Sequence, residues 1–226
     1  MEGPRVQLYG ILLSQPTRTL YEFCSLCNIP FDFVRVDLLK GEHKTEWYSQ
    51  INPDQLVPAI THGDFKLAET FAIIPYLAEY YHVDNQWYPQ DLHKRSHINA
   101  FFHWQHNTIR KSIRTLILEK VIGPKLRGMQ PITAEREAEL RADAINKLRD
   151  VTQMLEKWNF IAQTSDLSTA DLACYNEIVQ LKFLNFDFNE WPRIKSWVEE
   201  IERLQIVQET NGELLAVVEK FNTPQA

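Results

Sequence analysis

Residues 8–23 read LYGILLSQPTRTLYEF, and the reading of this stretch decides the fold. The apolar run from Leu8 to Leu13 has the length of a buried strand, and Ser14-Gln15-Pro16 punctuates it. From Thr17 onward Leu20, Phe23, Cys24 and Cys27 recur at spacings of three and four, which is a helical period. A serine therefore stands where a strand hands over to a helix, close to the positive end of the helix dipole. It either caps the helix or keeps its hydroxyl for something else. If Pro16 takes the first helical position, Gln15 becomes the cap and the Ser14 hydroxyl is released.

Outward from this stretch, strand and helix patterns alternate through the first eighty residues. Strands are expected at 6–12, 31–37, 57–61 and 65–67, and helices at 17–27, 44–51 and 70–81. A βαβ unit followed by a hairpin and a helix makes a small mixed α/β domain. The stretch HVDNQWYPQDL at 82–92 breaks the periodicity and reads as a connection. From His93 the patterns at 93–121, 134–157, 168–184, 191–204 and 211–221 favour helix, and none favours strand. Ser168, followed three residues later by Asp171, has the spacing of a capping box. The expected organisation is an α/β domain over 1–82, a linker at 83–92 and an all-helical domain over 93–226.

The bulk properties narrow the function. Of 226 residues, 44 % are apolar and 24 % charged, as in an ordinary water-soluble domain. A net charge of −6 argues against a nucleic-acid surface, which needs clustered Lys and Arg. The opening MEGPRVQ has no apolar core of a secretory signal, and no run is long enough to span a membrane. Three cysteines are an odd count without a framework, and they suit the reducing cytoplasm. Cys24 and Cys27 form a C-x-x-C, the spacing of a redox dithiol. Such dithiols need their first cysteine at the helix start, however, and both of these lie further along its apolar face. They are read as packing residues. No second pair completes a metal site around them, so no metal is expected.

Several motifs then fall into one order: LLSQPTR, DLLKGEH, NPDQLVPAI, LAETFAI, WYPQDL and WQHNTIR. As an ordered set they resemble the theta class of the cytosolic glutathione transferases, over nearly the whole chain and most densely from Leu8 to Arg110. The resemblance implies a thioredoxin-like N-terminal domain that binds glutathione and an all-helical C-terminal domain that lines the electrophile site. It implies a homodimer in the cytoplasm. Glutathione would be a co-substrate, and no further cofactor is implied.

The residues carry this on physical grounds as well. Pro58 lies at the start of a strand, where a missing N–H is tolerated. The resemblance implies a cis Val57–Pro58 bond that aims the Val57 N–H and C=O at an extended tripeptide, which pairs like an added strand. Glu69 and Thr70 open a helix, where backbone amides and a hydroxyl suit a carboxylate and an ionised acid suits an ammonium group. By resemblance, Glu69 holds the γ-glutamyl amine and Thr70 the γ-glutamyl carboxylate. His43 matches the contact to the glycine carboxylate. Arg110 is placed across the cleft from the thiol, where its charge would favour thiolate. Trp104, Ile113 and Leu116 are the candidates for the electrophile wall, which would take small hydrophobic molecules.

Ser14 is the expected catalytic residue. A free thiol titrates near 8.5, and lowering it by about two units takes roughly 2.7 kcal/mol. One charge-assisted hydrogen bond and a helix dipole reach that magnitude. The expected reaction is attack of the glutathione thiolate on an alkyl halide, an epoxide or a peroxide. The rival is a non-catalytic module of the same fold, used for assembly or for carrying ligands. A glutaredoxin-like reductase is disfavoured because Ser14 stands where its nucleophilic cysteine would be.

Departures from the family pattern are informative. Leu56 stands where a basic residue is common, so lower glutathione affinity is expected. Pro75 lies inside the helix that Glu69 opens and should kink it. FIAQTSDLSTAD lacks the glycine usual before the capping box. The closing NTPQA is too short for a further helix over the site, which implies an open cleft and unhindered product release.

Overall fold

Val6 and Leu8 point to one side of the first strand, and both are fully buried. The computed structural model describes residues 4–83 and 86–222. In it the strand is β1 (Val6–Gly10), followed by α1 (Gln15–Leu26) and β2 (Phe31–Arg35). A short 3-10 turn (Glu42–Lys44) and α2 (Glu46–Ser49) lead to the hairpin β3 (Ala59–His62) and β4 (Phe65–Ala68), then to α3 (Thr70–Tyr80). The sheet order is β2-β1-β3-β4, with β1 parallel to β2 and β3 antiparallel to both of its neighbours. Leu20, Phe23 and Cys24 of α1 and Ile73, Ile74 and Leu77 of α3 cover one face of this sheet. This is the expected thioredoxin-like arrangement.

From Leu92 to Asn222 every regular element is helical: α4 (Leu92–Asn107), α5 (Ile109–Ile117), α6 (Gly123–Leu126), α7 (Ala134–Trp158), α8 (Thr169–Ile178), α9 (Pro192–Ile201) and α10 (Gln205–Asn222). Two expected helices needed correction. The pattern at 93–121 is not one helix, because Thr108 leaves helical geometry at φ −118° and ψ −100°. Its hydroxyl donates to the Trp104 carbonyl at 2.6 Å, so the side chain takes up an acceptor at the end of α4. The last helix starts at Gln205 rather than 211, since Thr210 and Asn211 are buried polar residues that hide the apolar period.

α8 is buried along its whole length, and its start is the capping box. The Asp171 carboxylate accepts from the Ser168 amide and hydroxyl, the Ile161 amide and the Trp197 indole, each at 2.9–3.0 Å. The loop before it takes a left-handed turn without glycine, at Gln163 with φ +59°. Pro75 is accommodated inside a continuous α3. No cysteine is in a disulfide, and burial pushes the Cys24 thiol up, away from the thiolate. That matches a packing role. Asp84 and Asn85 of the expected linker lie outside the described residues, as do Thr223 to Ala226, from which the open cleft was inferred. Among the described residues no helix is long and apolar enough to cross a membrane.

Candidate active site

The turn between β1 and α1 is set by glycine. A Cβ on Gly10 would lie 2.5 Å from Thr17 Cγ2, so only glycine lets the strand end pass this close to the helix. Ser14 follows as the N-cap of α1, with Gln15 and Pro16 in the first turn. The expectation that Gln15 caps the helix is corrected by one residue. Even so, the Ser14 side chain makes no cap hydrogen bond. Its amide donates to the Ile11 carbonyl at 2.9 Å and its carbonyl accepts from the Arg18 amide at 3.0 Å. The backbone fixes the serine, and the hydroxyl is not spent on the helix.

Between the two domains lies a cleft whose wall includes Leu56, Val57, Pro58, Glu69, Thr70 and Arg110. Six residues expected from three separate stretches of sequence thus meet at one place. The Val57–Pro58 bond is cis. Among the described residues Val57 makes no hydrogen bond in turns, loops or sheet, so its backbone N–H and C=O are open to an incoming chain. Behind it, Tyr48 and Asn52 donate to the Leu56 carbonyl at 2.6 and 2.8 Å and hold the segment in place. Leu56 itself is 60 % exposed.

Glu69 is the N-cap of α3 and has φ +70° and ψ +104°, a region that a non-glycine residue rarely enters. Such backbone costs about 1–3 kcal/mol and gathers at functional sites. Its carbonyl starts the helix by accepting from the Ala72 and Ile73 amides, while its exposed side chain caps nothing. Glu69 lines the cleft, and its carboxylate is not spent on the helix. Thr70 is buried and its hydroxyl donates to the Pro16 carbonyl at 3.3 Å, which ties the start of α3 to the start of α1.

His43 sits in the turn after Gly41, outside the residues that line the cleft. Its Nδ1 is buried without a hydrogen-bond partner among the described residues. Burial, then Lys44 and Arg127, hold its pKa below the usual imidazole range, so the ring is neutral near pH 7. Arg110, in the first turn of α5, donates through Nη1 to Oε1 of Glu177 on α8. Its guanidinium is ion-paired. Trp104 is half-buried against the Phe101 ring. Ile113 and Leu116 are fully buried in the core, and none of these three lines the cleft.

Sequence reasoning missed Pro16, Asn52 and His106 in the cleft wall, although all three lie inside motifs already singled out. It also missed Glu177, which no motif marks. His93 and His97 lie one turn apart on α4, but among the described residues no group of three or more His, Cys, Asp or Glu could hold a metal. The enclosed part of the cleft measures about 110 Å³, well under the roughly 300 Å³ of a pocket that engulfs its ligand. A ligand much larger than this must lie along the cleft with part of it open.

Residues 5–79 match the family model described as the glutathione S-transferase N-terminal domain. Human glutathione S-transferase theta-1 is 35 % identical over 203 residues, covering 87 % of this chain and 82 % of the relative. The chain belongs to the theta class of the glutathione S-transferases. The theta-2 enzyme of Rattus norvegicus is 34 % identical over 218 residues, covering 94 % of this chain and 88 % of that one. The crystal structure of human glutathione transferase theta-2, in complex with glutathione and an unknown ligand, superposes with a TM-score of 0.87 at 30 % identity. It covers 97 % of this chain and 92 % of its own. In this glutathione S-transferase the sheet domain and α4–α5 both line the cleft, while Ser14, at the start of α1, is not among the lining residues.

Proposed function

We propose that this glutathione S-transferase binds glutathione in an extended form along the Val57–Pro58 segment and activates its thiol at Ser14. Glu69 accepts from the γ-glutamyl ammonium, and the backbone amides at the α3 N-terminus, that of Thr70 among them, receive the carboxylate beside it, since the Thr70 hydroxyl is given to Pro16. The Val57 N–H and C=O pair with the peptide backbone as a strand would. His43, neutral near pH 7, donates from its imidazole to the glycine carboxylate. Ser14 donates to the sulfur and stays protonated. The thiol proton leaves to solvent, and the sulfur forms a bond to carbon as a halide departs with its electron pair or an epoxide ring opens. With a hydroperoxide, two glutathiones are oxidised to the disulfide as the peroxide is reduced to alcohol and water.

The observation that carries this reading is the convergence of Val57, Glu69, Thr70 and Arg110 on one cleft, with Glu69 held in strained backbone and its carboxylate uncommitted to the helix. The test is a panel of alkyl halides, epoxides and hydroperoxides assayed with glutathione, wild type beside Ser14→Ala. Loss of most turnover with glutathione binding retained is expected. Near-normal turnover in Ser14→Ala would remove the serine from the mechanism. We further propose that the enzyme is a homodimer of the cytoplasm, needing no cofactor beyond glutathione. Light scattering and cell fractionation test these statements.

A further inference from the structure

Every residue of α8 is buried, yet it carries Glu177 at 3 % exposure with its carboxylate turned to Arg110. A buried carboxylate adds little net stability even when paired, because desolvation offsets the attraction. Its second oxygen, Oε2, is buried and has no partner among the described residues, so this is not a site built for maximal hydrogen bonding. What the pairing does achieve is geometric. The preceding residue, Asn176, accepts from Arg18 Nε at 2.7 Å and donates to Glu22 at 2.7 Å and Thr19 at 3.2 Å, which locks this turn of α8 onto α1. The anchor is therefore rigid. Arg110, which lies in the cleft wall at 19 % exposure, is long and otherwise free to sweep through many rotamers. Its bond to Glu177 engages Nη1 and is the single hydrogen bond its guanidinium makes among the described residues, leaving Nε and Nη2 for a ligand.

We infer that Glu177 is a positioning residue of the glutathione chemistry, acting through Arg110, whose guanidinium it holds at the cleft wall. This rests on the glutathione reading above. Misplacing a charged group by an ångström in such a site costs up to a hundredfold in rate.

The experiment is a double-mutant cycle read as kcat/KM for glutathione with one active electrophile, using Glu177→Ala and Glu177→Gln in the native and Arg110→Ala backgrounds. With Arg110 present, Glu177→Ala is expected to lower kcat/KM about tenfold or more. In the Arg110→Ala background it should change it by no more than about twofold. Glu177→Gln keeps the shape and an acceptor oxygen, so it should fall between wild type and Glu177→Ala; it also serves if the alanine variant does not fold. Equal factors in both backgrounds, for either substitution, would mean a merely structural role and overturn the inference. So would a Glu177→Ala enzyme within twofold of wild type. A wild type inactive on every electrophile overturns the glutathione reading and this inference together, whereas an active wild type with equal factors overturns this inference alone.

Discussion

Glu69 shows how a single residue is set against its own stability. Its φ of +70° would suit glycine, and glutamate holds it at a cost of about 1–3 kcal/mol. Glu69→Gly relieves that strain, partly offset by the greater freedom of glycine in the unfolded chain. The thermal midpoint of Glu69→Gly is thus expected to hold or rise slightly, while KM for glutathione rises tenfold or more. A parallel fall in stability and affinity would contradict this. His43 gives a pH signature. Its pKa is held down by burial and by Lys44 and Arg127, so it gains a proton only below the usual imidazole range. A bound carboxylate favours the protonated ring, so affinity should increase as pH falls through that range. KM for glutathione measured against pH should show this in wild type and not in His43→Gln.

At the scale of elements, the handover from β1 to α1 depends on the contact of Gly10 with Thr17. Gly10→Ala forces the two apart, with an overpacking cost of about 1–3 kcal/mol. Because Ser14 lies between them, kcat should fall more than KM rises. Thr17→Ala in the same chain makes room for the new methyl and should recover most of the loss. If the double variant is no better than Gly10→Ala, the contact is not what sets the turn. The break at Thr108 works in the same way for the other wall. It ends α4 after His106 and starts a new helix with Arg110 in its first turn, which brings two cleft residues from separate helices.

Across the whole molecule, a fully buried polar network joins the sheet domain to the helices. Arg18 donates to the Leu12 carbonyl at 2.7 Å and to Asn176, while Glu22 accepts from Asn176 and from Thr210, both at 2.7 Å. Arg18 thus reaches from α8 to the loop that carries Ser14. Burial pushes the Glu22 carboxyl up from 4.5 to about 7, against the pull of Thr210, Arg18 and Asn176. A carboxyl raised in the folded state contributes stability that is fully present below pH 4.5 and lost as pH rises through 7. The difference is about 3 kcal/mol at most. Glu22→Gln has no such titration. Relative to wild type it should therefore gain stability as pH rises from 4.5 to about 7, in denaturant melts at matched temperature. A difference that does not vary with pH would show that Glu22 does not titrate there.

The apolar run of β1 and the helical periods of α1 and α3 were enough to read these elements within a few residues, because each buries apolar residues in a pattern that is local. Ordered motifs named the family, since turn and helix-start chemistry needs particular residues at particular offsets. The sequence alone thus determined the architecture and most of the cleft wall at Val57, Pro58, Glu69 and Thr70. What it could not contain was any pairing between distant residues. Arg110 and Glu177 are 67 positions apart, and Glu22 and Thr210 are 188 apart. Buried polar residues such as Arg18, Asn176 and Thr210 look like surface residues in a hydropathy pattern, and this is also why the start of α10 was misread. Whether a charge is solvated or paired depends on what the fold places beside it, and only the tertiary structure decided that Arg110, expected at the cleft, is paired there with Glu177.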